Sequence, residues 1–481
     1  MQKFYLLSNR IIFYLLIFLV FFIPLYPKFP LLNIPGTFVA IRLEDMLIGF
    51  TLGIWLISNA SKFRKYLSQT IFQVFLAFFL IGGLSVMSAI IVTYFVQPHL
   101  ALLHWVRRIE YMSIFFIAAT SIRSEIQVKQ IIKIMLVVSA LVVLYGFGQI
   151  WFDFPVISTT NREFSKGLIL YLTNNARVNS TFAGHYDLAV YLSIILMIIP
   201  SLFFYTKKYY EKISLTFLGI ACFALLGLTA ARVSFVATIL GLVLVFWLNN
   251  KKLLVVGVIF LSMALVVVIP ELRHRLVATI TVNLLEGGGP KYNPPAGTVT
   301  IFTPERSLPE ASREALLEKA KKEATSPSST KKTIPVDTVP GEPTNPTELG
   351  VYRSFGIRFN VEWPRALNAF YKNPLLGTGY SSISLATDND FLRALGETGL
   401  LGFVSLTLIF YLIIKSELRF IAANFGYGKF IVTGIVCAIT VVLISGLFID
   451  VLEASKIAGT LWLLLGVSWA IVDGYKLNNN E

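Results

Sequence analysis

The 481 residues predict an all-α, polytopic membrane protein of about twelve transmembrane helices, with one long extracytoplasmic loop containing short helices. Three observations carry that expectation. Hydrophobic residues make up 56% of the chain and charged ones only 14%, and a soluble domain would need far more polar surface. The mean hydropathy is +0.72. Apolar runs long enough to cross a bilayer recur along the sequence, and lysines gather in every second connection between them.

Taken in order, the runs lie near 11–27, 38–57, 70–96, 108–121, 131–152, 187–205, 213–230, 233–248, 252–270, 399–414, 429–449 and 457–473. Lys62, Arg64 and Lys65 follow the second run, and Arg123 and Lys129 follow the fourth. Lys207, Lys208 and Lys212 follow the sixth, Lys251 and Lys252 the eighth, and Lys415 and Arg419 the tenth. Positively charged loops stay inside, so the pattern places both termini in the cytoplasm and the alternate loops outside. No small-residue cleavage site follows the first run, so it is expected to be retained as a span.

The chain therefore divides into a membrane domain over 1–270, an extracytoplasmic loop over 271–398, and a second membrane domain over 399–481. Within the loop, residues 287–349 are rich in Pro, Ser, Thr and Gly with no core-forming pattern, and read as a disordered insert. One short helix is expected within it, near Pro309–Ala324. Cys222 and Cys437 both sit in apolar runs and suggest neither a disulfide framework nor a zinc site. The net charge of +14 is largely accounted for by the loops between spans, which argues against a nucleic-acid partner. No internal repeat is visible.

The outward loops carry arginines where the positive-inside rule discourages them: Arg42, Arg107, Arg108, Arg177, Arg232, Arg273, Arg275, Arg358 and Arg365. A single arginine at a span end can simply snorkel to the headgroups. Several together can form a cluster that grips a diphosphate bidentately at the bilayer surface. Arg232, in LLGLTAARVSFVATIL, is held between two spans with almost no loop. Arg177 lies just before the sixth span, followed by His185 and Asp187 at its start. Arg42 with Asp45 can also be an internal pair three residues apart. Arg107, Arg108 and Glu110 open the fourth span, and His99 and His104 beside Trp105 read as an interfacial belt.

Residues 357–402 concentrate the remaining polar chemistry. An approach carrying Arg358, Trp363 and Arg365 leads to NPLLGTGY (Asn373–Tyr380) and then DNDFLRALGETGLLG (Asp388–Gly402). Gly377-Thr378-Gly379 suits a tight turn with positive φ. Thr387 or Asp388 is expected to cap the following helix, with Asp390 in its first turn. Asp388 and Asp390 also form an acidic pair of the kind that can hold a divalent metal, on two carboxylates alone. Glu397 lies one turn from Arg393, a spacing that suits a structural ion pair.

These residues resemble the O-antigen ligase and Wzy-type polymerase family of bacterial membrane glycosyltransferases. The resemblance rests on about twelve spans with a long external loop between the ninth and tenth, on Arg177, Thr181, Phe182 and His185 at the entry to the sixth, and on Thr229 and Arg232 after the seventh. Its most specific part is PLLGTGY…DNDFLRALGETGLLGF, from Pro374 to Phe403. The resemblance implies transfer of a glycan from a polyprenyl diphosphate to an acceptor hydroxyl at the outer face of the cytoplasmic (inner) membrane. The partners implied are a polyprenyl-diphosphate-linked glycan donor, a glycan or lipid-glycan acceptor, and membrane lipids.

In this reading Asp388 and His185 are the candidate proton acceptors. Arg177, Arg232, Arg358, Arg365, Arg42 and Arg108 are the candidate diphosphate or glycan contacts. No metal ligands and no cofactor are assigned, because fixed guanidinium groups can stabilise a leaving diphosphate. Ligases of the family commonly carry a histidine before the Asn of an H-N-x-x-L element, where this chain has Asp388. That departure fits a polymerase, or a ligase with another acceptor, at least as well as a lipid A-core ligase. The N-terminal dipole of the helix after Asp388 is expected to keep its carboxylate charged and to lower its basicity. The rival class is a lipid-linked oligosaccharide flippase. It is disfavoured by mid-span positions almost free of charge and by the lack of a half-repeat.

Overall fold

The computed structural model describes residues 2–27, 29–34, 40–156, 171–172, 176–281, 355–383 and 386–478. The insert 287–349 and the helix expected near 309–324 lie outside these residues. The described chain is helical throughout, apart from one two-stranded antiparallel hairpin of β1 (Pro30–Asn33) and β2 (Ala40–Arg42). Its second strand occupies the start of the predicted second span, which becomes helical only at Leu43.

The helices run α1 (Gln2–Leu25), α2 (Leu43–Asn59), the short α3 (Phe63–Leu67), α4 (Thr70–Ser88), α5 (Pro98–Ser121) and α6 (Glu125–Trp151). They continue with α7 (His185–Tyr205), α8 (Tyr209–Leu228), α9 (Arg232–Leu248), α10 (Leu254–Val268) and α11 (Pro270–Thr281). After the undescribed stretch come a π-helical turn (Arg358–Glu362), α12 (Trp363–Lys372), α13 (Asp390–Ala423), α14 (Tyr427–Ser445) and α15 (Ser455–Asn478).

Among the described residues, nine helices are long and apolar enough to cross a membrane, and α10 with α11 forms a tenth candidate bent by 104°. The protein is thus an all-α, multi-pass membrane protein. The other two predicted spans are weaker: α9 has only 17 residues, and α5 carries Arg107, Arg108 and Glu110 along its length.

Helix α7 runs through the middle of the bundle, with nearly all of its side chains from Leu188 to Leu202 buried. It packs against α8, α9, α14 and α15. Hydroxyls buried there find partners within the bundle, as a low-dielectric interior demands. Thr238 donates to Ser193 at 2.6 Å, and Ser139 and Tyr191 share a bond of 3.0 Å. The same apolar core extends between α4, α5 and α15 through Phe75, Phe115 and Trp462, with Phe75–Phe115 centroids 4.7 Å apart.

The long α13 breaks at Gly399, whose φ of 66° and ψ of −169° are open to glycine and costly for other residues. The break frees backbone groups on both sides, and Asn373–Gly379 takes them up. Thr378 N–H donates to Gly396 O at 3.0 Å and Gly379 N–H to Glu397 O at 2.9 Å. On the far side, Leu400 N–H donates to Pro374 O at 2.8 Å and Leu401 N–H to Leu375 O at 3.3 Å. Ser85 of α4 adds a second donor to Glu397 O at 2.7 Å. The turn itself runs through positive φ at Gly377 (68°) and Gly379 (89°). The NPLLGTGY stretch is therefore a clip that locks a broken helix, with its own sharp bends supplied by glycine.

Candidate functional site

The polar groups gather at one end of the bundle around the connection from α14 to α15, residues 446–454. No motif marks this connection in the sequence, although FIDVLEASK places Asp450, Glu453 and Lys456 within seven residues. Gly446 O accepts from Asp390 N–H at 2.8 Å, and Leu447 O accepts from the Asn389 side-chain amide at 3.0 Å. Asp450 receives the backbone N–H of Thr387 at 2.7 Å and the Arg393 guanidinium at 2.9 Å. In return the Asp390 carboxylate accepts from Val451 N–H at 3.0 Å and Leu452 N–H at 3.1 Å. The two loops are thus stitched reciprocally, one carboxylate from each gripping backbone amides of the other.

That stitching corrects two expectations. The helix cap is Asn389, whose Oδ1 accepts from Phe391 N–H at 3.0 Å and Leu392 N–H at 2.9 Å. Asp388 turns into the left-handed region at φ 50°, and Asp450 fixes the amides of both Thr387 and Asn389, which leaves the Asn389 side chain at the helix start. Asp388 and Asp390 also face different partners rather than a shared cation: Asp390 grips the 451–452 amides, and Asp388 pairs with Arg358 at 2.8 Å. Among the described residues, no group of three or more His, Cys, Asp or Glu side chains could hold a metal ion.

Asp388 keeps about a third of its side chain exposed, while Arg358 is buried. Burial pushes the Asp388 carboxyl above its ordinary value, opposed by the charge of Arg358 and reinforced by Asp450. The direction is thus opposite to the expected lowering of its basicity, chiefly because the carboxyl is largely buried, with Asp450 adding to the effect. Asp450 goes the other way: burial raises it, but the Arg393 guanidinium and backbone donors hold it below the usual range.

One turn on from Arg358, at the end of the π-helical turn, stands Glu362, which was not singled out in the sequence. Its carboxyl is pushed up to about 7, first by burial and then by the negative charges of Asp388 and Asp450, with Arg358 and Arg365 pulling against them. A π-helical turn often marks a functional site, and a carboxyl poised near neutrality suits proton transfer.

The predicted arginines fall into separate settings. Arg232 donates to Thr279 of α11 and lies 5.7 Å from the ring centre of Phe355. Phe355 stacks on Phe359, with centroids 6.0 Å apart, in the segment that carries Arg358. Arg365 donates weakly to Ile383 O at 3.5 Å and lines a cavity of about 460 Å³ with Asn360, Asn368, Lys372, Thr378 and Ser382.

Arg177 contacts Nε2 of His185. A ring nitrogen engaged by a guanidinium cannot also take a proton while that contact lasts, so His185 is the weaker proton acceptor here. Arg177 and Arg232 are thus anchored on different partners.

Arg42 and Arg108 are built into the frame. Arg42 donates its backbone N–H to Asp45 at 3.0 Å, and its side chain reaches Ser455 at 3.3 Å and Glu44 at 3.7 Å. The ion pair expected between Arg42 and Asp45 is therefore replaced: Asp45 pairs with Arg107 at 3.0 Å. Arg108 holds Leu452 O at 3.1 Å and the Glu453 carboxylate. Lys456 is buried, donating to Pro24 O at 2.9 Å and Thr181 O at 2.7 Å, and so ties α1, the α7 entry and α15 together. Glu397 and Arg393 do form the expected pair, at 3.5 Å.

No protein-family model matches the chain, and no curated protein matches it.

Proposed function

We propose that the chain is a membrane glycosyltransferase of the O-antigen ligase and polymerase type, moving a glycan from a polyprenyl diphosphate to an acceptor hydroxyl. The observation that carries the reading is the group formed by Arg358, Asp388 and Glu362: a buried guanidinium on one carboxylate, beside a second carboxylate pushed up to about 7 by burial and its acidic neighbours. Glu362, aided by Asp388, takes the proton of the acceptor hydroxyl as its oxygen bonds to the anomeric carbon. The bond from that carbon to the diphosphate breaks, and the electron pair leaves with the phosphate oxygen. Arg358 and Arg232 stabilise the developing charge, each offering a planar fork that suits a phosphate. The Arg365 cavity, lined by amide and hydroxyl side chains, suits a sugar.

The lysine-rich loops favour an orientation with both termini cytoplasmic and this group outside the cytoplasmic membrane. The test uses purified protein in vesicles holding a polyprenyl-diphosphate oligosaccharide and an acceptor glycan. Glycan transfer with release of polyprenyl diphosphate is expected. Movement of the donor between leaflets without transfer would overturn the reading in favour of a flippase.

A further inference from the structure

At the opposite end of the bundle lies the larger cavity, of about 860 Å³, walled by the α2–α4 connection, the start of α6, the start of α14 and the end of α15. Its position at that end is fixed by Tyr205, the last residue of α7, whose ring lies 5.1 Å from that of Tyr427 at the start of α14. Lys62, Lys65 and Arg123 bring three cations to its walls, against Glu125 and Asp473. Glu125 is engaged by Lys129 at 2.5 Å, so the balance at the mouth is positive.

Two helices also begin at this cavity. Ser124 caps α6, accepting from Gln127 N–H at 3.3 Å. The cap residue of α14 is Gly426, at φ 84°, which has no side chain with which to cap the first turn. The backbone donors of Tyr427 and Gly428 therefore add to the positive end of that helix. The inner wall is apolar and aromatic: Tyr66 and Phe72 stack with centroids 5.5 Å apart, and Trp469 and Ile471 line the same space. Phe425, 83% exposed, forms part of the rim.

We infer that this cavity binds an anionic phospholipid, its phosphodiester held by Lys62, Lys65 and Arg123 and its first acyl carbons lying along the aromatic wall. The combination decides the class of ligand. Cations with helix starts select a phosphate, and an apolar wall with a phenylalanine at the rim suits a molecule that is part hydrocarbon. The site lies at the other end from the Arg358 group and does not depend on the proposed transfer reaction.

The test is native mass spectrometry of the full chain released from mixed micelles of phosphatidylglycerol and phosphatidylcholine with matched acyl chains. The wild type is expected to retain phosphatidylglycerol at least tenfold more than phosphatidylcholine. The double variant Lys62→Gln/Arg123→Gln should lose that preference at an unchanged melting temperature, with Arg123→Gln alone as the milder variant if the double one fails to insert. Lys207→Gln/Lys208→Gln, in a basic loop outside the cavity wall, should keep it. Equal retention of the two lipids, or equal loss in both double variants, would overturn the proposal. Displacement of the lipid by soluble glycerol phosphate at matched concentration would make this a site for free phosphate instead, and would also overturn it.

Discussion

Asp388 and Glu362 share one neighbourhood, yet only Asp388 was visible in the sequence. Asp388 stands in a motif, whereas Glu362 reads as an ordinary polar residue in NVEWP. What distinguishes it is tertiary: burial, and two acids brought beside it from loops 26 and 88 positions further along. Because a general base works deprotonated and Glu362 is raised to about 7, transfer should climb with pH through an apparent pKa near 7. Glu362→Gln should cost about 10²-fold or more in turnover and flatten that limb, as a pH–rate profile would show. An unchanged profile would remove Glu362 from the reaction. Asp388→Asn should lower transfer severely with the fold intact, since Asn389 supplies the cap. Arg358→Lys keeps the charge but loses the fork, so donor turnover should fall while membrane insertion stays normal. EDTA should leave the rate unchanged, and loss of activity restored by magnesium would return the metal reading to Asp388 and Asp390.

At the scale of elements, glycine punctuation in GTGY was legible, and so was a helix starting near Asp390. The cap was misplaced by one residue at least because Asp388 and Asn389 are both good capping residues, and the choice was made by Asp450 pulling on the amides of Thr387 and Asn389. The role of the 446–454 connection was not legible, since its acids are spaced like those of any short loop and their partners lie far away in sequence. The clipped break in α13 sets a ranking of stabilities. At Gly399 an added Cβ would stand 2.4 Å from the backbone of Leu375, and the backbone angles alone cost other residues about 1–3 kcal/mol. Gly399→Ala should therefore lower the melting temperature more than Asn389→Ala, which loses a cap worth about 1 kcal/mol and one further hydrogen bond, to Leu447 O. Equal melting of the two variants would mean that the clip does not bear on stability.

For the whole molecule, composition alone made the membrane class plain, and nine of the twelve expected spans meet both length and apolarity. The hairpin before α2 was hidden because its residues are as apolar as a span. Orientation remains an expectation of the lysine pattern, with a direct check. A cysteine introduced at Ser328 should react with an impermeant thiol reagent in intact cells, and one at Ser68, in the α3–α4 turn, only after permeabilisation. The reverse labelling would invert the molecule. The hub at 446–456 also bears on the order in which the protein is made. Lys456 reaches back 432 positions to Pro24, and Arg42 reaches forward 413 positions to Ser455. A nascent chain inserted as far as α13 still lacks the Glu453, Asp450 and Leu452 partners of Arg108, Arg393 and Asp390. Until the last hairpin of helices leaves the ribosome and docks, the polar end stays open. A chain stalled in synthesis would then carry unmatched charges at its surface, a state that quality-control proteases can recognise.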